Sequence, residues 1–172
     1  MNHLDSIREK IVTDPQEMMS RIAAWRRQGL TVVFTNGCFD ILHTGHVSCL
    51  AQAADLGDRL IVALNTDASV RRLKGPSRPV NPEDARACVI AALEATDMVV
   101  FFDTPTPLEI LQQIRPDILA KGGDYRPEDI VGYDLLRSYG GRVVTLPFVE
   151  GYSTTGLIRR MADQEVQKKM SR

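Results

Sequence analysis

Two histidines and a glycine carry the most specific chemistry in the chain, in the run Asn36-Gly37-Cys38-Phe39-Asp40-Ile41-Leu42-His43-Thr44-Gly45-His46. The run follows a short apolar, β-branched stretch, Leu30-Thr31-Val32-Val33-Phe34-Thr35. It opens a segment in which Val47, Leu50, Ala51 and Ala54 recur at helical spacing up to Gly57. A helix starting there presents unpaired backbone N–H groups and the positive end of its dipole, which together form an anion site. Gly45 has no Cβ to obstruct a phosphate. His43 and His46, at i and i+3, share a side of the helix and can both donate to phosphate oxygens. A lone histidine is more often an ordinary core or surface residue, but the pair, the glycine and the position together outweigh that reading.

Three further clusters share the same logic. Lys74-Gly75-Pro76-Ser77-Arg78-Pro79 is a cationic loop with Glu83 and Arg86 on the helix that follows, although composition alone reads it as an exposed turn. Leu119-Ala120-Lys121-Gly122-Gly123-Asp124-Tyr125 ends an apolar run in a lysine, two glycines and an acid, and paired glycines permit close backbone approach to a ligand. Glu150-Gly151-Tyr152-Ser153-Thr154-Thr155 is a capped helix start whose hydroxyls and N–H groups form a second phosphate-binding terminus, with Ser153 as a plain N-cap the alternative. No GxxxxGK[ST] loop, no GxGxxG after the first strand, no GxSxG elbow and no HExxH pair occurs. Kinase-type, dinucleotide, hydrolase and zinc-protease readings lose ground accordingly.

The elements that must position these clusters follow from periodicity. Apolar runs at 30–35, 59–64, 98–102, 117–120 and 142–146 read as strands. Helical patterns occupy 14–28, 44–56, 69–73, a segment capped by Asn81 with Pro82 first, a segment from Thr106 and Pro107 to Ile114, 128–139, and a last helix after Ser153-Thr154. Strands that are almost continuously apolar and alternate with helices predict an α/β fold, a doubly wound parallel sheet of about five strands with helices on both faces. Ligands of such sheets bind beyond the carboxyl ends of the strands, where these clusters fall. One domain is expected over 1–172, with an N-terminal helix at 14–28, a core at 30–162, and loose segments in the first dozen residues and the tail 164–172.

Composition sets the outer bounds. With 172 residues, 21 basic and 22 acidic side chains and a net charge of -1, nothing requires a nucleic-acid or lipid-surface partner. The polar start and the lack of a long apolar run predict a cytoplasmic protein with no membrane span. Cys38, Cys49 and Cys88 form no CxxC pair, which predicts free thiols and no metal-ligand set.

His43-Thr44-Gly45-His46 resembles the HxGH signature of the nucleotidyltransferase superfamily that includes the cytidylyltransferases and pantetheine-phosphate adenylyltransferases. The set NGCFDILHTGH, LNTDASVRRLKGPSRPVNPEDAR, LAKGGDY and GYSTTGLI is similar, over nearly everything from Thr31 to Met161, to the heptose 1-phosphate adenylyltransferase family of ADP-heptose synthesis. The resemblance implies a Rossmann-like HxGH fold. It also implies transfer of AMP from ATP, with Mg²⁺, onto D-glycero-β-D-manno-heptose 1-phosphate for lipopolysaccharide core or a related surface glycan. In many bacteria that activity is fused to a heptose kinase domain, and this chain is expected to be the stand-alone form. The resemblance gives His43, His46 and Lys74 catalytic roles on the phosphates, with Gly45 beneath them. It puts Asn36, Gly37 and Phe39 along the nucleotide, Gly123 and Asp124 at the ribose and base, and Ser153, Thr154 and Thr155 on the β and γ phosphates. Arg86 and Lys121 become phosphate or sugar-phosphate ligands.

Cytidylyltransferases usually carry RTEGIST, with an arginine where this chain has Phe148, and lack a lysine at the position of Lys121. Both departures favour ATP. The alternatives are a cytidylyltransferase acting on glycerol 3-phosphate or phosphoethanolamine, and a nucleotide-binding module without turnover. A homodimer is expected by resemblance to relatives.

Overall fold

The computed structural model describes residues 2–147, 151 and 153–170, the side chains of 162 and 165–170 excepted. Five strands, β1 (Val32–Gly37), β2 (Arg59–Asn65), β3 (Met98–Phe102), β4 (Ile118–Gly122) and β5 (Arg142–Leu146), form one parallel sheet in the order β3-β2-β1-β4-β5. The helices are α1 (His3–Arg8), α2 (Pro15–Arg27), α3 (Thr44–Ala54), α4 (Asp67–Lys74), α5 (Glu83–Ala91), α6 (Leu108–Ile114), α7 (Tyr133–Ser138) and α8 (Thr154–Met170).

Because side chains alternate across a strand, each apolar run supplies two faces at once. Val32, Phe34, Ile61, Ala63, Met98, Val100 and Leu119 pack against Met18 and Ile22 of α2, Ile110, Leu111 and Ile114 of α6, and Leu136 of α7. The residues between them, Val33, Leu60, Val62, Leu64, Val99, Ile118 and Ala120, pack against Leu50 and Ala53 of α3 and Ala87, Ile90 and Ala91 of α5. Each fully buried aliphatic side chain stabilises by about 1.5–3 kcal/mol, so covering both faces favours uninterrupted apolar strands. The doubly wound α/β architecture read from the sequence is the one observed.

The strand order turns at β1. The chain proceeds outward through β2 and β3, then returns to place β4 on the other side of β1, pairing Val33 with Ile118 and Phe34 with Leu119. That reversal is the topological switch point, where such sheets open a crevice beyond the strand ends.

Three segments differ from expectation. The first dozen residues are ordered into the fold. Asn2 caps α1 by accepting from Asp5 N at 2.9 Å, and Val12 N donates to Val99 O at 2.9 Å while Val99 N donates to Lys10 O at 2.8 Å. Residues 10–12 thus run along the outer edge of β3, and the apolar side chain of Val12 is buried. The tail from Gln164 continues α8 to Met170 rather than ending it. Pro82, not Asn81, is the N-cap of α5, because the Asn81 carboxamide donates instead to Asp40 O at 2.6 Å. No helix among the described residues is long and apolar enough to cross a membrane.

Candidate active site

A cleft of about 430 Å³ opens at the switch point, walled by the end of β1, the start of α3, the end of β4 and the start of α8. It brings together His43, His46, Lys74, Asn36, Gly37, Phe39, Gly45, Lys121, Ser153, Thr154 and Thr155. Gly123, Asp124 and Arg86 are not among its lining residues. Phe148, Glu150 and Tyr152 lie outside the described residues.

The start of α3 is built around its histidines. His43 is the N-cap: its carbonyl accepts from His46 N at 2.9 Å and its Nδ1 from the same N–H at 3.4 Å. An accepting Nδ1 leaves the proton of the neutral ring on Nε2. The two imidazoles stack with centroids 3.8 Å apart and planes at 19°. The Phe39 ring leans on His46 at 5.1 Å. Phe39 holds φ at 45°, a left-handed conformation that costs a non-glycine residue on the order of 1–3 kcal/mol. Gly37 makes that seat possible, since a Cβ there would lie 2.9 Å from the Phe39 ring.

Burial, and secondarily the neighbouring His43, push the His46 pKa down to about 4, and burial lowers that of His43 as well. Both rings are therefore neutral near pH 7. His46 Nδ1 is buried without a hydrogen-bond partner among the described residues. A phosphate beside the pair would supply the charge that favours a cationic imidazole.

A second helix terminus faces the same space. Ser153 Oγ accepts from Gly156 N at 3.0 Å, and Thr154 Oγ1 donates to Ile41 O at 3.4 Å, which fastens the first turn of α8 to the loop that precedes α3. On the cleft floor, at the end of β4, Lys121 Nζ donates to Asn36 O and Oδ1, each at 3.4 Å. Burial lowers the pKa of this ammonium. Cys49 lies against the neighbouring Gly122, where a Cβ would come 2.9 Å from its sulfur. Burial raises the pKa of both Cys38 and Cys49, so neither thiol is set up as a nucleophile.

Asp40 is the residue that sequence reasoning missed. It is 2% exposed and accepts from Arg78 Nε at 2.6 Å, Val80 N at 2.8 Å and Asn81 N at 2.9 Å. Burial alone would raise its pKa, but the Asn81 and Val80 amides and the Arg78 guanidinium hold it below the usual carboxylate range. The carboxylate thereby ties the loop after α4, which begins at Lys74, to the loop after β1. Its signal was present, because Asp40 is the one acid in residues 30–54 and a cationic loop stands further along the chain.

Arg86 departs from the role expected of it. Its guanidinium is fully buried and donates to Cys38 O at 2.6 Å, Asn65 O and Asp67 Oδ1 at 2.8 Å, and Asn81 O at 3.1 Å. It holds the ends of β1 and β2 and the start of α4 together instead of meeting phosphate. Gly123 is likewise turned inward, its N–H donating to Leu146 O at 2.9 Å, and Asp124 is exposed. As for a metal, Asp40 is the one carboxylate among the described cleft residues, and both of its oxygens already accept hydrogen bonds. Among the described residues no group of three His, Cys, Asp or Glu side chains could hold an ion. The described side chains of the cleft therefore do not fit a resident divalent cation.

Comparison with known proteins agrees with this geometry. The cytidylyltransferase-like family model matches residues 34–160. The bifunctional protein HldE of Gluconobacter oxydans is 59% identical over 148 residues, which cover 86% of this chain and 31% of that protein. HldE of Magnetococcus marinus is 58% identical over 145 residues, covering 84% and 30%. The chain thus spans about a third of the length of the curated relatives it matches. Among solved structures, a lipopolysaccharide core biosynthesis protein from Thermoplasma volcanium superposes with a TM-score of 0.59 at 27% identity, covering 73% of this chain and all of that one. A pantoate-beta-alanine ligase from Francisella tularensis, with a TM-score of 0.58 at 15% identity over 80% of this chain and 66% of its own, shares the fold alone. With the family model spanning well over half of its length, the chain belongs to the cytidylyltransferase-like family and is a nucleotidyltransferase.

Proposed function

We propose that this chain is a one-domain, cytoplasmic adenylyltransferase that transfers AMP from ATP to D-glycero-β-D-manno-heptose 1-phosphate, giving ADP-heptose and pyrophosphate for lipopolysaccharide core or a related glycan. The observation that carries the reading is the meeting of two helix N-termini, those of α3 and α8, at one cleft that also holds stacked histidines and a half-buried lysine. Such a surface suits a triphosphate, because helix termini and preorganised donors bind anions without rearrangement. The heptose-type run Lys121-Gly122-Gly123-Asp124-Tyr125, the HldE relatives and the lipopolysaccharide core protein support the choice of sugar phosphate.

An acceptor phosphate oxygen attacks the α-phosphorus, one P–O bond forms, the bond to the β-phosphate oxygen breaks, and its electron pair leaves with pyrophosphate. The phosphate is already ionised near pH 7, so alignment and charge neutralisation matter more than a general base. In this reading His43, His46 and Lys74 offset charge on the α-phosphate and the departing pyrophosphate, and Ser153, Thr154 and Thr155 hold the β and γ phosphates. Asn36, Gly37, Phe39 and Gly45 line the nucleotide side. Mg²⁺ belongs to this reading as part of the ATP substrate and would supply charge neutralisation on the phosphates, with no residue of the described cleft assigned to it. Association into a homodimer belongs to the same proposal.

Pyrophosphate release with D-glycero-β-D-manno-heptose 1-phosphate, compared across ATP, CTP and GTP, tests the reading. Turnover with ATP alone is expected. Turnover with CTP instead would move the chain to a cytidylyltransferase, and ATP binding without pyrophosphate release from any acceptor would make it a binding module.

A further inference from the structure

The ammonium of Lys121 is an unusual object for a protein interior. It stands at the carboxyl end of β4, mostly withdrawn from water, and its partners are the Asn36 carbonyl and carboxamide oxygens at 3.4 Å, the long end of hydrogen bonding. Among the described residues no carboxylate lies within 4 Å of it, whereas the two arginines withdrawn from water nearby each have one: Arg78 has Asp40 and Arg86 has Asp67. A cation removed from water without a counter-charge is costly, and proteins retain one where a ligand supplies the missing anion. Lys121 lines the cleft, so the missing anion has a route to it.

Its place differs from that of the histidines. Cys49 follows His46 by three residues, about one turn further along α3, and it is Cys49 that packs on Gly122 beside Lys121. The two helix N-termini, joined through Thr154 and Ile41, form a continuous donor surface. The lysine is a single charge on the floor. A nucleotidyl transfer brings two anions into one cleft, an extended triphosphate and a compact phosphate monoester, and the extended surface and the point charge divide naturally between them.

We propose that Lys121 is the specificity-determining subsite for the phosphate monoester of the acceptor, distinct from the helix-terminus surface that receives the nucleotide. The inference rests on the nucleotidyl-transfer reading of the cleft. It assigns to Lys121 the acceptor alone and explains why an ammonium is kept on the floor with no carboxylate beside it.

The test uses the full chain and Lys121→Met, which keeps length and apolar stem but no charge. Each protein is first saturated with α,β-methylene ATP to fill the nucleotide surface, and thermal unfolding is then followed as inorganic phosphate is added. Wild type is expected to gain further stability with phosphate and the Lys121→Met protein none, with the variant the more stable of the two in phosphate-free buffer. In steady-state turnover the variant's KM for the sugar phosphate should rise at least tenfold, with KM for ATP changed less than threefold. Equal phosphate protection in both proteins, or a loss confined to ATP, would overturn the assignment. Should the wild type show no turnover with the heptose phosphate, the choice of acceptor fails, while the phosphate titration still decides whether Lys121 is the anion subsite.

Discussion

Asp40 and Arg78 stand 2.6 Å apart, carboxylate to guanidinium, across 38 positions of sequence, and with Val80 and Asn81 they clasp the loop that starts at Lys74 onto the loop that leads to the histidines. Asp40 is buried and Arg78 nearly so, so neither charge has water as an alternative partner.

Asp40→Asn is expected to destabilise the fold by about 3 kcal/mol, the range for breaking a buried pair and leaving one partner unmatched. Urea unfolding of the two proteins measures it directly. Because the folded-state pKa of Asp40 is depressed, its contribution is full above the ordinary carboxylate value and fades as pH falls through the folded value. The difference between wild type and variant should therefore shrink in strong acid, and a gap independent of pH would contradict the clasp.

His46 makes the opposite kind of prediction. Its folded pKa of about 4 lies below the ordinary 6.5, so the unfolded chain binds the proton first. Its part in stability is intact above pH 6.5 and declines as pH falls toward 4. Replacement by Gln should flatten the stability profile across that window. Nucleotide phosphates favour the imidazolium, so ATP binding at pH 5.5 should take up protons, seen by calorimetry in buffers of different ionisation enthalpy, and this uptake should vanish in His46→Gln.

Turnover should fall roughly 10²–10³-fold in His46→Ala, the usual loss on removing one preorganised transition-state donor. Circular dichroism and gel filtration should show an unchanged fold. Full activity in a folded variant would remove the histidine from the mechanism.

Arg86→Lys separates a structural from a phosphate-binding arginine. The lysine retains the charge but cannot span Cys38 O, Asn65 O, Asp67 and Asn81 O at once. A loss of about 3 kcal/mol, or roughly 6–12 °C in Tm for a chain of this size, is expected. An unchanged Tm with a lowered kcat would mean that the arginine reaches the substrate after all.

The contrast between Arg86 and His46 shows what a sequence carries. Strands such as Val32–Gly37 and Arg59–Asn65 were legible because burial on both faces writes a continuous apolar run, and the histidine pair because its spacing is local. Arg86 and Asp40 were not, since what each touches is set by loops converging from up to 48 residues away. The order of residues 10–12 was hidden for the same reason, their partner Val99 lying 87 positions beyond Val12. A motif match could place Arg86 on the correct helix without showing that its guanidinium turns inward.

Residues 10–12 have a further consequence, because they occupy the outer rim of β3. The recognisable family region starts only at residue 34, and a boundary drawn there would cut into β1 and also strip that cover, leaving the N–H and C=O of Val99 on the rim of β3 without their partners. Open rims of this kind recruit other chains and lead to insolubility. Trimming this sequence ahead of residue 13 is therefore expected to lower its solubility, the rim of β3 being covered from well upstream of the family signature.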